Sequence, residues 1–380
     1  MKIGFNAIAM MSHPTGLGVY TRNVLRRLIE FGVDVDVFVS NCSSSVNENL
    51  VKVPVPEGKG IFTNVLRVIG NHMLLPHFMR QRGVDVCVST SPMHGLVRPP
   101  APQVTVVHDL IPLHFSRMKW WVKPYYLHAL PRIIDASETV VALSEFTRQD
   151  ILQNFAAQGN KVQTVYLGYD PDVFHTDVSA GDIVGKYGLE DYFLYVGDQA
   201  PRKNLHRLIA AFAQSEAGQA GYKLAIAGRE DSRTSPPLPE YARKLGVSDR
   251  VVFLGYVPAS DLPGLYKGAK ALTFISLLEG FGLPTIESMA CGTPVLTANT
   301  SSFPEVVGSA GILVDPLDVD AISNGVDRLV QDRTEYEKLA EESPKRARTF
   351  SWRRCARKLL RICRNIAPSN GTKRHSELKT

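Results

Sequence analysis

Glu279 and Glu287 stand eight positions apart and enclose Gly280-Phe281-Gly282-Leu283-Pro284, so two carboxylates bracket one glycine-rich turn. Pro284 suits the first position of a helix, which then runs through Ile286, Met289 and Ala290 and ends at Gly292. Glu279 falls in the loop before that helix and Glu287 on its first turns. Between them the backbone N–H groups of Phe281, Gly282 and Leu283 have no intrahelical acceptor, and the glycines let an anion approach closely. A helix start of this kind attracts phosphate. The two carboxylates repel phosphate and suit hydroxyl-rich groups on either side of it, a sugar at one end and a ribose at the other. The pattern predicts a site for a nucleotide-sugar.

Apolar strand-like runs alternate with helical patterns along the whole chain, which argues for a parallel α/β architecture. Residues 3–7, 33–39, 84–89, 104–107, 140–143 and 162–166 read as strands of a first sheet. Residues 169–176, with Pro171, read as a linker. A second series follows at 193–197, 223–227, 251–254, 271–275, 294–297 and 311–314. Two doubly wound domains facing across a cleft are expected, with ligand at the carboxyl ends of the strands. The motifs do follow predicted strands.

The block 278–307 resembles the retaining family 4 glycosyltransferases, whose signature is this glutamate pair. The resemblance extends to residues 16–20, 107–112, 144–151, 195–204 and 253–265, nearly the whole chain. Arg202-Lys203-Asn204 and His108-Asp109-Leu110-Ile111-Pro112 look like the bacterial mannosyl- and rhamnosyltransferase branch, which works mostly on O-antigen and exopolysaccharide. The resemblance implies the GT-B fold, two Rossmann-like domains with a C-terminal helix crossing back to the N-terminal domain. The expected division is an acceptor-binding domain at 1–168, a linker at 169–190, a nucleotide-sugar-binding domain at 191–348, a crossover helix at 349–367 and a disordered tail at 368–380.

The remaining motifs divide between chemistry and plain structure. Thr15-Gly16-Leu17-Gly18-Val19 resembles the family's N-terminal glycine loop, with Gly16 and Gly18 approaching the donor phosphates. It is not Gly-x-Gly-x-x-Gly and no acidic partner follows at dinucleotide spacing, which lowers a dinucleotide reading. His108 at a strand's carboxyl end suits a donor-sugar hydroxyl or a carbonyl near the reacting carbon, as the family's matching histidine does; Asp109 suits bracing of the loop. Lys203 suits the charge that develops on a departing diphosphate. Part of the wider family has arginine directly after the glycine here occupied by Gly197, and this chain has Asp198, which puts the usual pair of Arg and Lys in question. Arg202 either substitutes for that arginine or is a solvated residue at a helix start. Gly255-Tyr256-Val257-Pro258 resembles the loop that holds the nucleobase through backbone groups, with Val257 at its centre. Ser144 to Thr147 suits a helix cap or an acceptor contact, and Ser301, Ser302, Pro304 and Glu305 suit structural support near the donor.

No cofactor and no metal ion is expected. Asp34 and Asp36 alternate with valines as on a half-buried strand, and Asp318 and Asp320 look like helix capping. No cluster has metal-ligand spacing. Five scattered cysteines without a Cys-x-x-Cys pair read as reduced thiols. No leader-like segment precedes the first strand, and no apolar run approaches the ~20 residues of a membrane span. These features predict a cytoplasmic enzyme. The net charge of +6 is local: residues 345–380 hold 12 of the 43 Lys and Arg and one acid, Glu377. A nucleic-acid binder would carry basic charge over its body, so nucleic acid is not an expected partner.

The last helix, over 352–366, is two-faced: Trp352, Cys355, Ala356, Leu359, Leu360, Cys363 and Ile366 on one side, Arg353, Arg354, Arg357, Lys358, Arg361 and Arg364 on the other. Its basic face and the aromatic, cationic segment 119–126 both suit an anionic membrane surface or a plain solvated face. The expected activity is retaining transfer of a hexose, mannose or rhamnose, from a nucleoside-diphosphate sugar to a glycan hydroxyl, with a lipid-linked acceptor. His108, Lys203 and Glu279 would carry it, and Glu279→Ala or Lys203→Ala would abolish transfer with folding intact. The alternatives are a nucleotide-sugar epimerase of the same fold, or a non-catalytic sugar-nucleotide-binding protein.

Overall fold

Two parallel sheets account for the alternating apolar runs. The computed structural model describes residues 1–8, 16–40, 50–54, 61–92, 99–115 and 121–368. Thr15, Cys42, residues 119–120 of the aromatic segment and residues 369–380 of the expected tail lie outside the described residues.

The first sheet contains β1 (Lys2–Asn6), β2 (Asp34–Val39), β3 (Leu50–Lys52), β4 (Val86–Ser89), β5 (Gln103–Val107), β6 (Thr139–Ala142) and β7 (Val162–Thr164), in the order β3-β2-β1-β4-β5-β6-β7. The second contains β8 (Tyr192–Val196), β9 (Lys223–Ala227), β10 (Val251–Gly255), β11 (Ala271–Phe274), β12 (Val295–Ala298) and β13 (Gly311–Val314), in the order β10-β9-β8-β11-β12-β13. Neighbouring strands pair in parallel. Both faces of each sheet are covered, which is why the strands read as continuous Val, Ile and Leu runs. This is the expected pair of doubly wound Rossmann-like domains.

Alternate strand residues sort the N-terminal core into two sides. Ile3, Phe5, Val35, Val37, Val86 and Val88 pack with Tyr20, Val24 and Leu28 of the Gly16–Glu30 helix. On the other side, Phe38, Val51 and Cys87 meet Leu75 and Met79 of the Ile61–Arg82 helix, and Val107, Val140 and Ala142 meet Leu130 and Ile134 of the Val122–Ala136 helix. The last helix, Trp352–Ile366, returns to the N-terminal half and packs on the Gly16–Glu30 helix. Its apolar face is buried from Trp352 to Cys363, with Ile362 in addition and Ile366 half-buried, and its six cations are exposed. An isolated parallel bridge joins Tyr169 to Ser351, so the two passages between the halves lie against each other.

Three details differ from the sequence reading. Strand β3 was not expected; three residues are too few for a periodic signal. Asp36 is buried, and its carboxylate lies 3.4 Å from Lys2 Nζ and 3.9 Å from Arg82 Nε, so two cations cover it in place of solvent. The aromatic segment, from Trp121 on, and the basic helix face lie on opposite sides of the N-terminal sheet, so one flat surface cannot engage both.

Candidate functional site

In the C-terminal sheet the chain winds outward from β8 to β10, then crosses to β11 and winds the other way. The crevice between β8 and β11 is therefore the switch point at which such sheets bind ligands. Two loops meet there, joined by Leu277 N–H donating to Arg202 C=O at 2.8 Å. The first, after β8, is a short turn at Pro201–Lys203 that ends with Asn204 in the left-handed region, φ 61°. It turns both cations inward: Lys203 Nζ and Arg202 Nη1 each donate to Glu279 Oε1 at 2.6 Å. Asp198 stands further off, 3.8 Å from Arg202 and 3.9 Å from Lys203. Arg202 is thus a member of the cluster and not a solvated helix-start residue. Burial alone would raise the Glu279 carboxyl, but Lys203 and Arg202 outweigh it and hold the group below the usual carboxylate range.

The second loop carries the glycine turn. Gly282, at φ 89°, caps the Leu283–Ala290 helix, a conformation that glycine adopts without strain. The helix begins at Leu283, so Pro284 holds its second position and not the first; the helix closes with Cys291 as cap and Gly292 beyond. The N–H groups of Phe281, Gly282 and Leu283 donate to no other described residue. The Phe281 ring packs between Tyr166 and Phe350, with centroids at 6.2 and 5.5 Å. Glu287 lies one turn into the helix, where Tyr266 O–H donates to Oε2 at 2.9 Å. Burial, partly opposed by that hydrogen bond, raises its carboxyl to about 7.

The N-terminal half meets this crevice at His108. Gly280 packs so closely on the His108 loop that a Cβ there would lie 2.1 Å from the His108 carbonyl oxygen, which explains glycine at this position. His108 Nε2 lies 2.9 Å from Thr90 C=O. A carbonyl only accepts, so Nε2 carries the proton and Nδ1 presents its lone pair. Burial lowers the imidazole to about 4, against the smaller effect of the Thr90 bond, so it is neutral near pH 7. Asp109 Oδ1 accepts from Ile111 N–H at 3.0 Å and braces the loop. Its carboxyl is raised by burial, with Arg202 opposing.

His108, Arg202, Lys203, Glu279 and Phe281 to Leu283 therefore come together, with Glu287 one helical turn away. Gly16 and Gly18 form the first turn of the Gly16–Glu30 helix and not a loop; the segment before them lies outside the described residues. Val257 is buried beyond β10, beside Tyr256, which is half exposed under the Arg229 guanidinium at 5.1 Å. Ser144 accepts from Thr147 N–H at 3.0 Å, so the helix-cap reading of that motif stands. Sequence reasoning missed the junction at Thr147, whose hydroxyl lies 3.4 Å from Gly280 C=O.

Comparison with known proteins matches this layout half by half. Residues 14–173 match the Glycosyltransferase Family 4 profile and residues 182–346 the Glycosyl transferases group 1 profile. The chain belongs to the family 4 glycosyltransferases of the GT-B fold. The chain is 33% identical over 237 residues to O-antigen chain mannosyltransferase B of Escherichia coli, covering 61% of each chain. It is 29% identical over 263 residues to the serotype-specific mannosyltransferase WbdA of Escherichia coli, covering 67% of this chain and 32% of that protein. The match thus spans less than two thirds of either relative. Sucrose-phosphate synthase from Thermosynechococcus elongatus shares the fold at a TM-score of 0.81 and 20% identity, covering 96% of this chain and 98% of that one. Among the described residues no helix is long and apolar enough to cross a membrane.

Proposed function

We propose that this chain is a retaining hexosyltransferase that moves mannose or rhamnose from a nucleoside-diphosphate sugar to a hydroxyl of a lipid-linked glycan. The observation that carries the reading is the Lys203–Glu279–Arg202 cluster at a sheet switch point, packed against the His108 loop. The names of the two sequence relatives favour mannose. The diphosphate lies on the N–H groups of Phe281, Gly282 and Leu283. Lys203 and Arg202 meet the charge that grows on the leaving oxygen. Glu279 orients both cations through Oε1 and offers Oε2 to donor-sugar hydroxyls. Glu287 takes the ribose, the Val257 loop the base, and the Gly16 and Gly18 end of the first helix closes on the phosphates. His108 accepts a hydroxyl hydrogen bond at Nδ1 near the reacting carbon.

In the transfer, the bond from the anomeric carbon to the phosphate oxygen breaks while the acceptor oxygen bonds to the same face. The acceptor proton passes to the leaving phosphate oxygen. No covalent nucleophile is assigned. The chain's own cations and amides meet the leaving charge, so the proposal includes no divalent ion. We further propose that the enzyme is cytoplasmic and touches the inner face of the plasma membrane through the exposed cations of the crossover helix, each contributing about 1 kcal/mol near an anionic surface. Binding to anionic vesicles at low salt and release at high salt is expected; indifference to them would remove this part.

The deciding experiment is a thermal-shift panel of nucleoside diphosphates and their sugars, because a ligand bound only by the native state raises its melting temperature. A shift confined to one nucleotide series supports the donor site and identifies the base. A flat response across the panel would overturn the reading in favour of a non-catalytic scaffold. Formation of an epimer from donor alone would favour the epimerase alternative.

A further inference from the structure

Glu305 reaches across the cleft. It stands at the start of the Phe303–Val307 helix of the C-terminal half, yet its carboxylate is spent on the N-terminal half. Phe146 N–H donates to Oε1 at 2.7 Å, while Glu145 N–H and Tyr166 O–H donate to Oε2 at 2.9 and 2.8 Å. Glu145 and Phe146 open the Glu145–Asn154 helix, where backbone N–H groups have no intrahelical acceptor. A carboxylate there is favoured twice, by charge-assisted hydrogen bonds and by the helix dipole.

The segment that carries Glu305 also holds the site. Ser302 Oγ donates to Glu279 C=O at 3.1 Å, and Glu279 N–H donates to Ser301 Oγ at 3.4 Å. Behind it, Arg346 donates to the carbonyls of Glu305 and Val306. Tyr166, which bonds Glu305, packs on Phe281 of the glycine turn and on Phe350, at 6.2 and 5.8 Å between centroids. One turn into the clamped helix, Thr147 Oγ1 lies 3.4 Å from Gly280 C=O. Residues 301–305 therefore run as a short strut from the Glu279 backbone to the N-terminus of a helix in the opposite half.

We propose that Glu305 is a positioning residue: by clamping the Glu145–Asn154 helix it fixes the distance between Glu279 and His108, and so couples closure of the two halves to the reacting geometry. The inference rests on the glycosyl-transfer reading for its kinetic consequence, but the clamp itself can be observed without it.

Hydrogen exchange at the Glu145 and Phe146 amides reads the clamp directly, since Glu305 is their acceptor. In the wild-type chain these amides are expected to be protected. Glu305→Gln keeps one acceptor oxygen and turns an NH2 group toward a donor; exchange at both amides should accelerate at least about tenfold. With it kcat should fall at least about tenfold, because a displacement of about 1 Å can cost a hundredfold. Nucleoside-diphosphate affinity should change by less than about threefold, because Lys203, Arg202, Glu287 and the Phe281 to Leu283 amides, which carry most of that site, lie in the C-terminal half. Tyr166→Phe, which keeps the ring packing, should move exchange and kcat in the same direction by less, and it serves if the Glu305 variant folds poorly. Unprotected amides in the wild type would overturn the clamp. Fast exchange in Glu305→Gln with unchanged kcat, or kcat and nucleotide affinity falling together, would overturn the positioning role. Protected wild-type amides in a chain that binds no nucleotide would defeat the glycosyl-transfer reading and leave the clamp standing.

Discussion

The carboxyl ends of the two sheets meet, and they are built from different materials. At the C-terminal sheet the crevice between β8 and β11 gathers Asp198, Arg202, Lys203 and Glu279, with the two cations held on one carboxylate oxygen at 2.6 Å. At the N-terminal sheet the facing groups are neutral: His108, kept uncharged by burial, and the Thr90 carbonyl that fixes its tautomer. Asp109, the acid beside it, accepts from its own loop, and burial raises its carboxyl against the opposing charge of Arg202 across the crevice. The difference separates two tasks. A group whose charge changes during reaction is best met by preorganised charge. A neutral imidazole can hydrogen-bond a sugar hydroxyl without competing for the diphosphate. Under the proposed function, the charged groups of the C-terminal half would meet the leaving group, and His108 of the N-terminal half would add a neutral contact to the reacting sugar.

The sharpest way to break that comparison is to remove the charge from the charged side. Lys203→Ala is expected to lower transfer at least about a thousandfold, the scale of losing a preorganised electrostatic group. Glu279→Ala should be as severe. The buried pairing adds a stability cost to the expectation that folding stays intact. Lys203 and Glu279 form a buried pair, with side chains 7% and 11% exposed, and breaking such a pair costs about 3–5 kcal/mol. Both variants should melt measurably lower, and Lys203→Met, which fills the space but lacks the charge, should recover only the packing part of that loss and no activity. Transfer within about tenfold of wild type in either alanine variant would sink the assignment of the leaving group to this half.

His108 tests the neutral side and should have a smaller effect. His108→Ala is expected to reduce transfer about tenfold to a hundredfold, the scale of one hydrogen bond lost in a dry site. The pH behaviour gives the sign. With its folded value lowered to about 4 and an ordinary value of 6.5, the unfolded chain takes the proton first. The His108 contribution to stability is therefore present above about 6.5 and is lost as pH falls toward about 4. The melting-temperature gap between wild type and His108→Gln should shift against the wild type on acidification over that window. A gap that does not change with pH would mean that the imidazole is not buried neutral, and the contrast between the halves would fail.

How much of this was legible follows from what each interaction is made of. The strands and the crossover helix were readable because burial on two faces, or on one, imposes a period on the sequence. Lys203 and Glu279 were readable as candidates, since cations and carboxylates after strand ends have few bland uses. Their pairing was not, because 76 positions separate them. The Glu305 clamp left no comparable trace: its partners are backbone amides, which any residue supplies, and a hydroxyl 139 positions away. Phe281 was read as a supplier of an N–H group, yet its ring ties the glycine turn to Tyr166 and Phe350. A single sequence shows the chemistry of each half and not the contacts that bring the halves into register.

The smallest expected effect concerns the second glutamate, which sits on the charged half but behaves like the neutral one. Glu287 has a tyrosine hydroxyl and no cation as its hydrogen-bond partner among the described residues, and burial raises it to about 7 from 4.5. The folded chain therefore holds this proton when the unfolded chain has released it. The stability that the proton brings is full below about 4.5 and is lost as pH rises through about 7. Glu287→Gln cannot titrate, so its melting temperature should gain on the wild type steadily between those values and stay level beyond them. A ribose diol donates to a carboxylate, and so favours the ionised form. If Glu287 takes the ribose, nucleotide binding near pH 7 should release a proton from the wild type and none from the variant. Calorimetry in two buffers of different ionisation enthalpy reads that release. Equal proton release in both would separate Glu287 from the ribose and leave Glu279 as the carboxylate of the pair that touches donor.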